Sequence, residues 1–179
     1  MRTAHTLSQT ASRRSALRVL ALVPVTGVLG ACGFKLRQPP DLVFKSIYAN
    51  VAPTSLMGVE LRRNLAALGD VELITEPARQ KEAQVILDVL QEQRQKVVVG
   101  MGPAGQVREY QLRLRLRFRL RTSQGKELIP DTELQQQRDI SFNESAVLAK
   151  ETEEELLYRS MQTDIVQQIL RRLASIREL

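Results

Sequence analysis

Residues 110–121 read YQLRLRLRFRLR, an unbroken alternation of apolar and polar side chains. Successive side chains of a β-strand point to opposite faces, so this pattern predicts a strand and not a helix. The even-numbered residues form an apolar face that needs a covering layer. The odd-numbered positions carry a row of arginines, spaced by about 6.6 Å or two strand residues. This arginine ladder consists of Arg113, Arg115, Arg117, Arg119 and Arg121.

The arginine ladder has two interpretations. Guanidinium groups bind phosphates and carboxylates in a fork geometry, and a row of them repels itself unless anions lie nearby. The ladder is therefore either a solvated strand face or a surface that binds an anionic ligand or a partner. The sequence leaves both interpretations open, and all five arginines are candidate binding residues.

The ladder strand is predicted to pair with the strand before it, across the glycine-rich turn at residues 100–105. A tight hairpin there makes opposing residue numbers sum to about 205. Asp88 then lies opposite Arg117, and Glu92 lies opposite Arg113. The ladder arginines left without an acidic partner in this register are Arg115, Arg119 and Arg121.

The other segments predict more strands and two helices. Alternation and turn signals place strands at residues 44–49, 71–75, 83–99, 107–121 and 134–142. Apolar residues at helical spacing place helices from Pro53 to about residue 68 and from about residue 145 to residue 176. Residues 141–144, SFNE, have the form of a capping box, with Asn143 as an alternative cap.

These elements predict an α+β fold. A strand–helix–strand unit of this length favours parallel pairing, whereas the long hairpin is antiparallel. Two helices can cover one face of the sheet, which leaves the other face for water or a partner. We therefore expect a two-layer sandwich with two helices on one face of a roughly four-stranded mixed sheet.

The amino-terminal residues have the composition of a secretory signal. Residues 1–31 carry four arginines and no acidic residue, and residues 19–29 are almost entirely apolar. An apolar run this short is not a membrane-spanning helix. The sequence LGAC at residues 29–32 resembles a bacterial lipobox, so we expect cleavage before Cys32 and acylation of its sulfur.

The signal divides the chain into three predicted parts: a removed signal peptide at 1–31, a lipidated tether at 32–41 and a single domain at 42–179. Two or three acyl chains hold a protein stably at a membrane. Gly33 stands where the usual inner-membrane retention signal has Asp, which favours sorting to the outer membrane. Residues 12–15, SRRS, weakly match a twin-arginine signal, so the export route stays open.

Removal of the signal changes which functions the composition allows. The net charge falls from +6 to about +2, because the leader holds four of the 26 basic residues and none of the 20 acidic ones. General nucleic-acid binding thereby loses its support. The mature chain also lacks histidine and a free thiol, which excludes histidine triads, thiol catalysis and the usual zinc sites. Carboxylate or Lys/Ser chemistry has no recognisable motif, so we expect no enzyme, no metal site and no cofactor beyond the lipid on Cys32.

Four groups of residues together resemble the lipopolysaccharide (LPS)-assembly lipoprotein family LptE. The resemblance extends over nearly all of the mature chain and depends on order and spacing more than on an invariant signature. The matching segments are LGACGFKLR at 29–37, YQL at 110–112, GKEL at 125–128, and VLAKE at 147–151 followed by Leu156, Met161, Asp164 and Leu173.

The resemblance implies an outer-membrane lipoprotein that plugs the β-barrel LptD, assists its folding and helps deliver LPS to the outer leaflet. LptD and LPS would be its partners, on the periplasmic side of the membrane and in the barrel lumen. The ladder could hold lipid A phosphates or meet acidic lumen residues, and the tip at residues 100–105 could enter the barrel first. The alternative is an accessory lipoprotein of another envelope lipid-transport or barrel-assembly complex, with a hydrolase as a distant third.

Overall fold

The computed structural model describes residues 42–179. The predicted signal peptide, the acylated Cys32 and the tether at 32–41 lie outside these residues. The strands are β1 (Ser46–Asn50), β2 (Glu72–Ile74), β3 (Val85–Met101), β4 (Val107–Thr122) and β5 (Glu127–Ser141). The α-helices are α1 (Leu56–Ala66) and α2 (Val147–Ala174), and short 3-10 helices occupy Pro77–Glu82 and Glu144–Ala146.

The strands form one mixed sheet in the order β2-β1-β3-β4-β5. β1 pairs in parallel with both β2 and β3, while β3, β4 and β5 form an antiparallel meander. The helix α1 connects β1 to β2, as expected for a parallel crossover. The predicted α+β fold is thus confirmed, and the sheet contains five strands where about four were expected.

The apolar face of β4 forms the centre of the core. Leu112, Leu114, Phe118 and Leu120 are fully buried, and Leu116 is 1% exposed. The core continues into both helices, because Leu61 and Leu65 of α1 and a stripe along α2 belong to the same cluster. That stripe includes the predicted Met161, Ile165, Ile169 and Leu173. Both helices therefore cover the same face of the sheet.

Local signals set the helix ends. The Ser55 side chain accepts a hydrogen bond from the Gly58 amide and caps α1, so the helix starts after the predicted Pro53. Asn143 accepts from the Ser145 amide, which confirms it as the cap of the 3-10 turn that leads into α2. Gly69 has a φ of 72°, the left-handed conformation that suits glycine after a helix.

The observed hairpin register differs from the predicted one, because opposing residue numbers sum to 208 near the tip rather than 205, and a β-bulge at Leu90 makes the sum 207 at Asp88. Asp88 lies opposite Arg119 rather than Arg117, and Glu92 lies opposite Leu116 rather than Arg113. Before the bulge the odd-numbered residues of β3 face the helices, and beyond it the even-numbered residues do. The extra residue reverses the alternation because one more residue on one strand shifts every later side chain to the opposite face.

The bulge turns three charged residues of β3 toward the helix layer, where each finds a partner. Glu92 accepts a hydrogen bond of 2.5 Å from the Ser55 hydroxyl. Arg94 and Lys96 contact two glutamates near the start of α2, with N–O distances of 3.4 Å to Glu155 and 2.6 Å to Glu154. Glu154 and Glu155 thus bind the helix to the sheet.

The same charges protect an exposed strand edge. β1 pairs with β3 only as far as Asp88, so the remainder of β3 has no strand on that side among the described residues. Inward-pointing charges and bulges are devices that discourage pairing of such an edge with another chain. The Tyr158 hydroxyl also donates to the Gln95 carbonyl at 2.9 Å, which occupies one edge acceptor.

The last strand starts earlier than its sequence suggests. β5 begins at Glu127 rather than Leu134 and runs through Pro130. Proline has no N–H to donate, but an edge strand tolerates it because one side of the backbone needs no partner.

The hairpin tip between β3 and β4 is a tight turn, in which the Gly102 amide donates to the Gln106 carbonyl at 2.8 Å.

Truncation of the β4 core should strongly destabilise the domain. We expect Leu114→Ala to lower the free energy of unfolding by about 2–5 kcal/mol, because it leaves a cavity between β4 and α2. Leu148→Ala is the matched control: Leu148 is 80% exposed, so its loss should cost under about 0.5 kcal/mol. Urea unfolding of the two variants measures both values, and equal costs would contradict the assigned core.

Candidate functional site: the outer sheet face

The sheet face opposite the helices, here called the outer face, carries the arginine ladder down its centre. The neighbouring positions on β3 and β5 are mainly glutamines, so that several ladder residues have an amide on each side. The rows across the sheet are Gln95–Arg113–Gln137, Gln93–Arg115–Gln135 and Gln91–Arg117–Glu133. The predicted separation of arginines from leucines is confirmed by burial, since the ladder residues are half-buried or exposed.

Asp88 binds the end of the ladder nearest β1. Its carboxylate accepts hydrogen bonds from Arg119 Nε at 3.0 Å, from Arg121 Nε at 2.8 Å and from the Asn50 amide at 2.9 Å. The prediction that Arg119 and Arg121 lack acidic partners is therefore wrong. The physical reason is the register, which moves Asp88 two residues along β4 and between these two guanidinium groups.

The Asp88 carboxyl is ionised and held in place by these donors. Burial raises its pKa, but the hydrogen bonds from Arg121, Asn50 and Arg119 together outweigh this effect, so its pKa lies below the ordinary value. Its side chain is 6% exposed. The carboxylate therefore acts as a fixed internal counter-ion for two arginines.

Arg117, in the middle of the ladder, is also neutralised from within. Its guanidinium forms an ion pair with Asp131 of β5, and Glu133 lies opposite it in the sheet. The hydrogen bond with Asp131 raises the pKa of Arg117. Sequence reasoning missed Asp131, because β5 was expected to begin at Leu134 and actually begins at Glu127.

Arg113 and Arg115 are the ladder residues that form no ion pair within residues 42–179. Arg113 Nε donates to the Gln111 side chain at 2.7 Å. Arg115 Nε is shielded from solvent and has no hydrogen-bond partner in the described part of the chain. A cavity of about 200 Å³ lies beside Arg115 on the outer face and is lined by Gln91, Gln93, Arg115, Arg117 and Glu133.

A small apolar cluster borders the ladder at its β1 end. It consists of Tyr48, Ile74, Ala83 and Ile86, which are buried on the outer face and separate from the main core. The outer face is thus apolar at one end and polar along the meander. Alternation in residues 44–49 allowed Tyr48 on this face, but its contacts depend on strands that are distant in sequence.

No helix within residues 42–179 is long and apolar enough to cross a membrane. No group of three or more Cys, His, Asp or Glu side chains in this part of the chain is placed to hold a metal ion. A second cavity, of about 500 Å³, lies near the start of α1 and the bulge at Leu90 and is away from the ladder.

Solved structures of bacterial lipoproteins have a similar fold. An NMR structure of lipoprotein B from Nitrosomonas europaea has 32% sequence identity and a TM-score of 0.68, covering 80% of this chain and 91% of that one. A minor lipoprotein from Acinetobacter baumannii matches at 21% identity and a TM-score of 0.60, covering 75% and 94% of the two chains. Rare lipoprotein B from Shewanella oneidensis matches at 20% identity and 0.60, covering 73% and 95%. The latter two show the fold alone.

The family model for LptE, described as lipopolysaccharide-assembly, matches residues 44–173. The chain therefore belongs to the LptE family. Family membership makes it an envelope lipoprotein with a role in LPS assembly, and it implies a partner in an LPS-transport complex. Members of this family are accessory proteins rather than enzymes. No curated protein matches the sequence.

Loss of the Asp88 charge should destabilise the outer face in a pH-dependent way. We expect Asp88→Asn to lower the free energy of unfolding by about 1–3 kcal/mol at pH 7, because two arginines lose a buried counter-ion. Since the folded pKa is depressed, this contribution is present at neutral pH. It is lost as pH falls below the ordinary Asp value, about 4, and through the folded pKa.

Chemical denaturation at pH 7 and at several values below 4 measures this difference. Asp139→Asn is the control, because Asp139 is exposed and its carboxylate accepts only from the Gln111 amide at 2.9 Å. Equal stability of the two variants at pH 7 would contradict the role assigned to Asp88.

Proposed function

We propose that this protein is an outer-membrane lipoprotein that plugs the LptD β-barrel, assists its folding and helps deliver LPS to the outer leaflet. The observation that carries the proposal is the LptE family match over residues 44–173, nearly all of the described domain. The open outer face supports it, because a plug must present a polar surface to a polar barrel lumen. The protein would work by binding, without catalysis and without a cofactor other than its lipid.

The lipid on Cys32 would hold the domain at the membrane. The sulfur and the new amino terminus together carry two or three acyl chains in this kind of anchor, which is enough for stable attachment. The tether at 32–41 would place the domain on the periplasmic side, next to the barrel. Recognition would then depend on the domain rather than on the anchor.

The outer face offers two kinds of contact to a barrel. Half-buried or exposed glutamines flank the ladder on β3 and β5, and their amides both donate and accept hydrogen bonds. The exposed ion pair of Arg117 with Asp131 adds charges of both signs. Such a surface suits a wet, polar interface, and its uncompensated arginines suit acidic groups of the lumen or phosphates of LPS.

The hairpin tip is the other candidate contact. Val98, Val99 and Met101 are 43%, 47% and 71% exposed, an unusual exposure for three neighbouring apolar side chains. They project at the far end of two strands of 17 and 16 residues. The tip could therefore enter the barrel ahead of the rest of the domain.

Purification of the lipidated protein from outer membranes tests the proposal. We expect LptD to co-purify with the native chain in stoichiometric amount. A transport ATPase complex or an assembly barrel in its place would contradict the proposal and favour another envelope machine. Catalytic turnover by the purified protein would contradict the non-enzymatic assignment.

Replacement of the acylated residue tests the anchor separately. Cys32→Ser removes the thiol that accepts the lipid, so we expect an unprocessed precursor that retains residues 1–31. Mass spectrometry of the purified protein distinguishes this precursor from a mature chain with acyl groups on Cys32. A native protein that begins at another residue, or that carries no lipid, would contradict the assignment.

A further inference from the structure

Arg115 differs from the other arginines of the ladder in having no internal partner. Arg119 and Arg121 share Asp88, Arg117 binds Asp131, and Arg113 donates to Gln111. Within residues 42–179, Arg115 forms no ion pair, and its Nε–H has no acceptor. A guanidinium with unused donors is unusual where its neighbours are all bound, because an unsatisfied donor shielded from water costs free energy.

The surroundings of Arg115 provide room for a ligand. The adjoining cavity of about 200 Å³ is several times the volume of about 30 Å³ that a water molecule occupies in the liquid. Gln93 and Gln135 lie opposite Arg115 on the two neighbouring strands. Gln93 lines the cavity together with Arg115, whereas Gln135 is the neighbour of Arg115 on β5, and the amides of both glutamines can donate to an oxygen bound beside the guanidinium.

The charges around the cavity limit which ligand fits. Arg117 lines the cavity and adds positive potential, although Asp131 occupies its donors. Glu133 lines one side and repels anions that approach it. This arrangement suits one oxyanion seated against Arg115, and it disfavours an extended polyanion lying along the whole ladder.

We propose that Arg115, with Gln93 and Gln135, forms a subsite for a phosphate ester of a sugar headgroup. Two oxygens of the phosphate would accept a pair of hydrogen bonds from the Arg115 guanidinium. No carboxylate of the described residues accepts these hydrogen bonds. The sugar hydroxyls would face the glutamine amides. That the phosphate belongs to a glycolipid rests on the proposed function. That Arg115 binds an oxyanion does not depend on it.

Titration of the lipidated protein in detergent, labelled with ¹⁵N-arginine, tests the subsite. The probes are N-acetylglucosamine 1-phosphate, N-acetylglucosamine and inorganic phosphate at constant ionic strength. We expect the Arg115 Nε–H resonance, assigned by its loss in Arg115→Gln, to shift saturably with the sugar phosphate. The unphosphorylated sugar should leave it unchanged, and LPS should compete.

Matched variants separate this site from general charge effects. We expect Arg115→Gln to weaken binding of the sugar phosphate about tenfold or more, and Arg115→Lys to weaken it less, since lysine keeps the charge but loses the fork. Arg171→Gln makes the same charge change at an exposed position of α2 and should have no effect. Thermal unfolding of each variant checks that it is folded.

The outcomes distinguish the subsite from the proposed function. Equal binding by Arg115→Gln and Arg171→Gln would overturn the subsite, as would equal binding of the unphosphorylated sugar. Binding of inorganic phosphate without competition by LPS would overturn the glycolipid source. Phosphate-ester binding that depends on Arg115 supports the subsite even if LptD fails to co-purify, and that failure would count against the proposed function alone.

Discussion

Burial of one face of β4 is the constraint on which the rest of the sandwich depends. Four side chains of that face, Leu112, Leu114, Phe118 and Leu120, are fully buried, and they belong to one core cluster with residues of both helices. Each buried side chain of this size contributes roughly 1.5–3 kcal/mol. Because strand side chains alternate, the same packing forces every arginine between them onto the opposite face. The buried core and the arginine ladder thus both follow from the alternation of side chains along β4.

The single extra residue at Leu90 decides how charge is distributed between the two faces. Beyond the bulge, β3 sends Glu92, Arg94 and Lys96 toward the helices and glutamines toward the outer face. The carboxylate of Glu92 binds Ser55, and Arg94 and Lys96 bind glutamates of α2. These contacts connect the sheet to the helix layer beyond the apolar core. The outward glutamines make the outer face polar without adding to its charge.

The ladder is therefore less basic than its five arginines suggest. Asp88 and Asp131 form ion pairs with three of them within the sheet, with Asp88 shared by two, and the free binding capacity is concentrated around Arg115. A surface of this kind can meet a polar partner broadly and still hold one anion at a defined place. On the proposed function, the polar face would contact the partner complex and the single anion site would hold a phosphate of LPS.

The sequence by itself determined the strand at residues 110–121, the identity of its two faces, the helix stripe from Met161 to Leu173 and the family resemblance. These follow from local periodicity, which is written in consecutive residues. Only the tertiary structure decided the partners of the arginines. Strand register depends on the hairpin turn, on the bulge at Leu90 and on the start of β5, and none of these leaves a local signal. A shift of two residues keeps each side chain on its face while it exchanges every cross-strand neighbour, and a bulge reverses the faces of the residues beyond it.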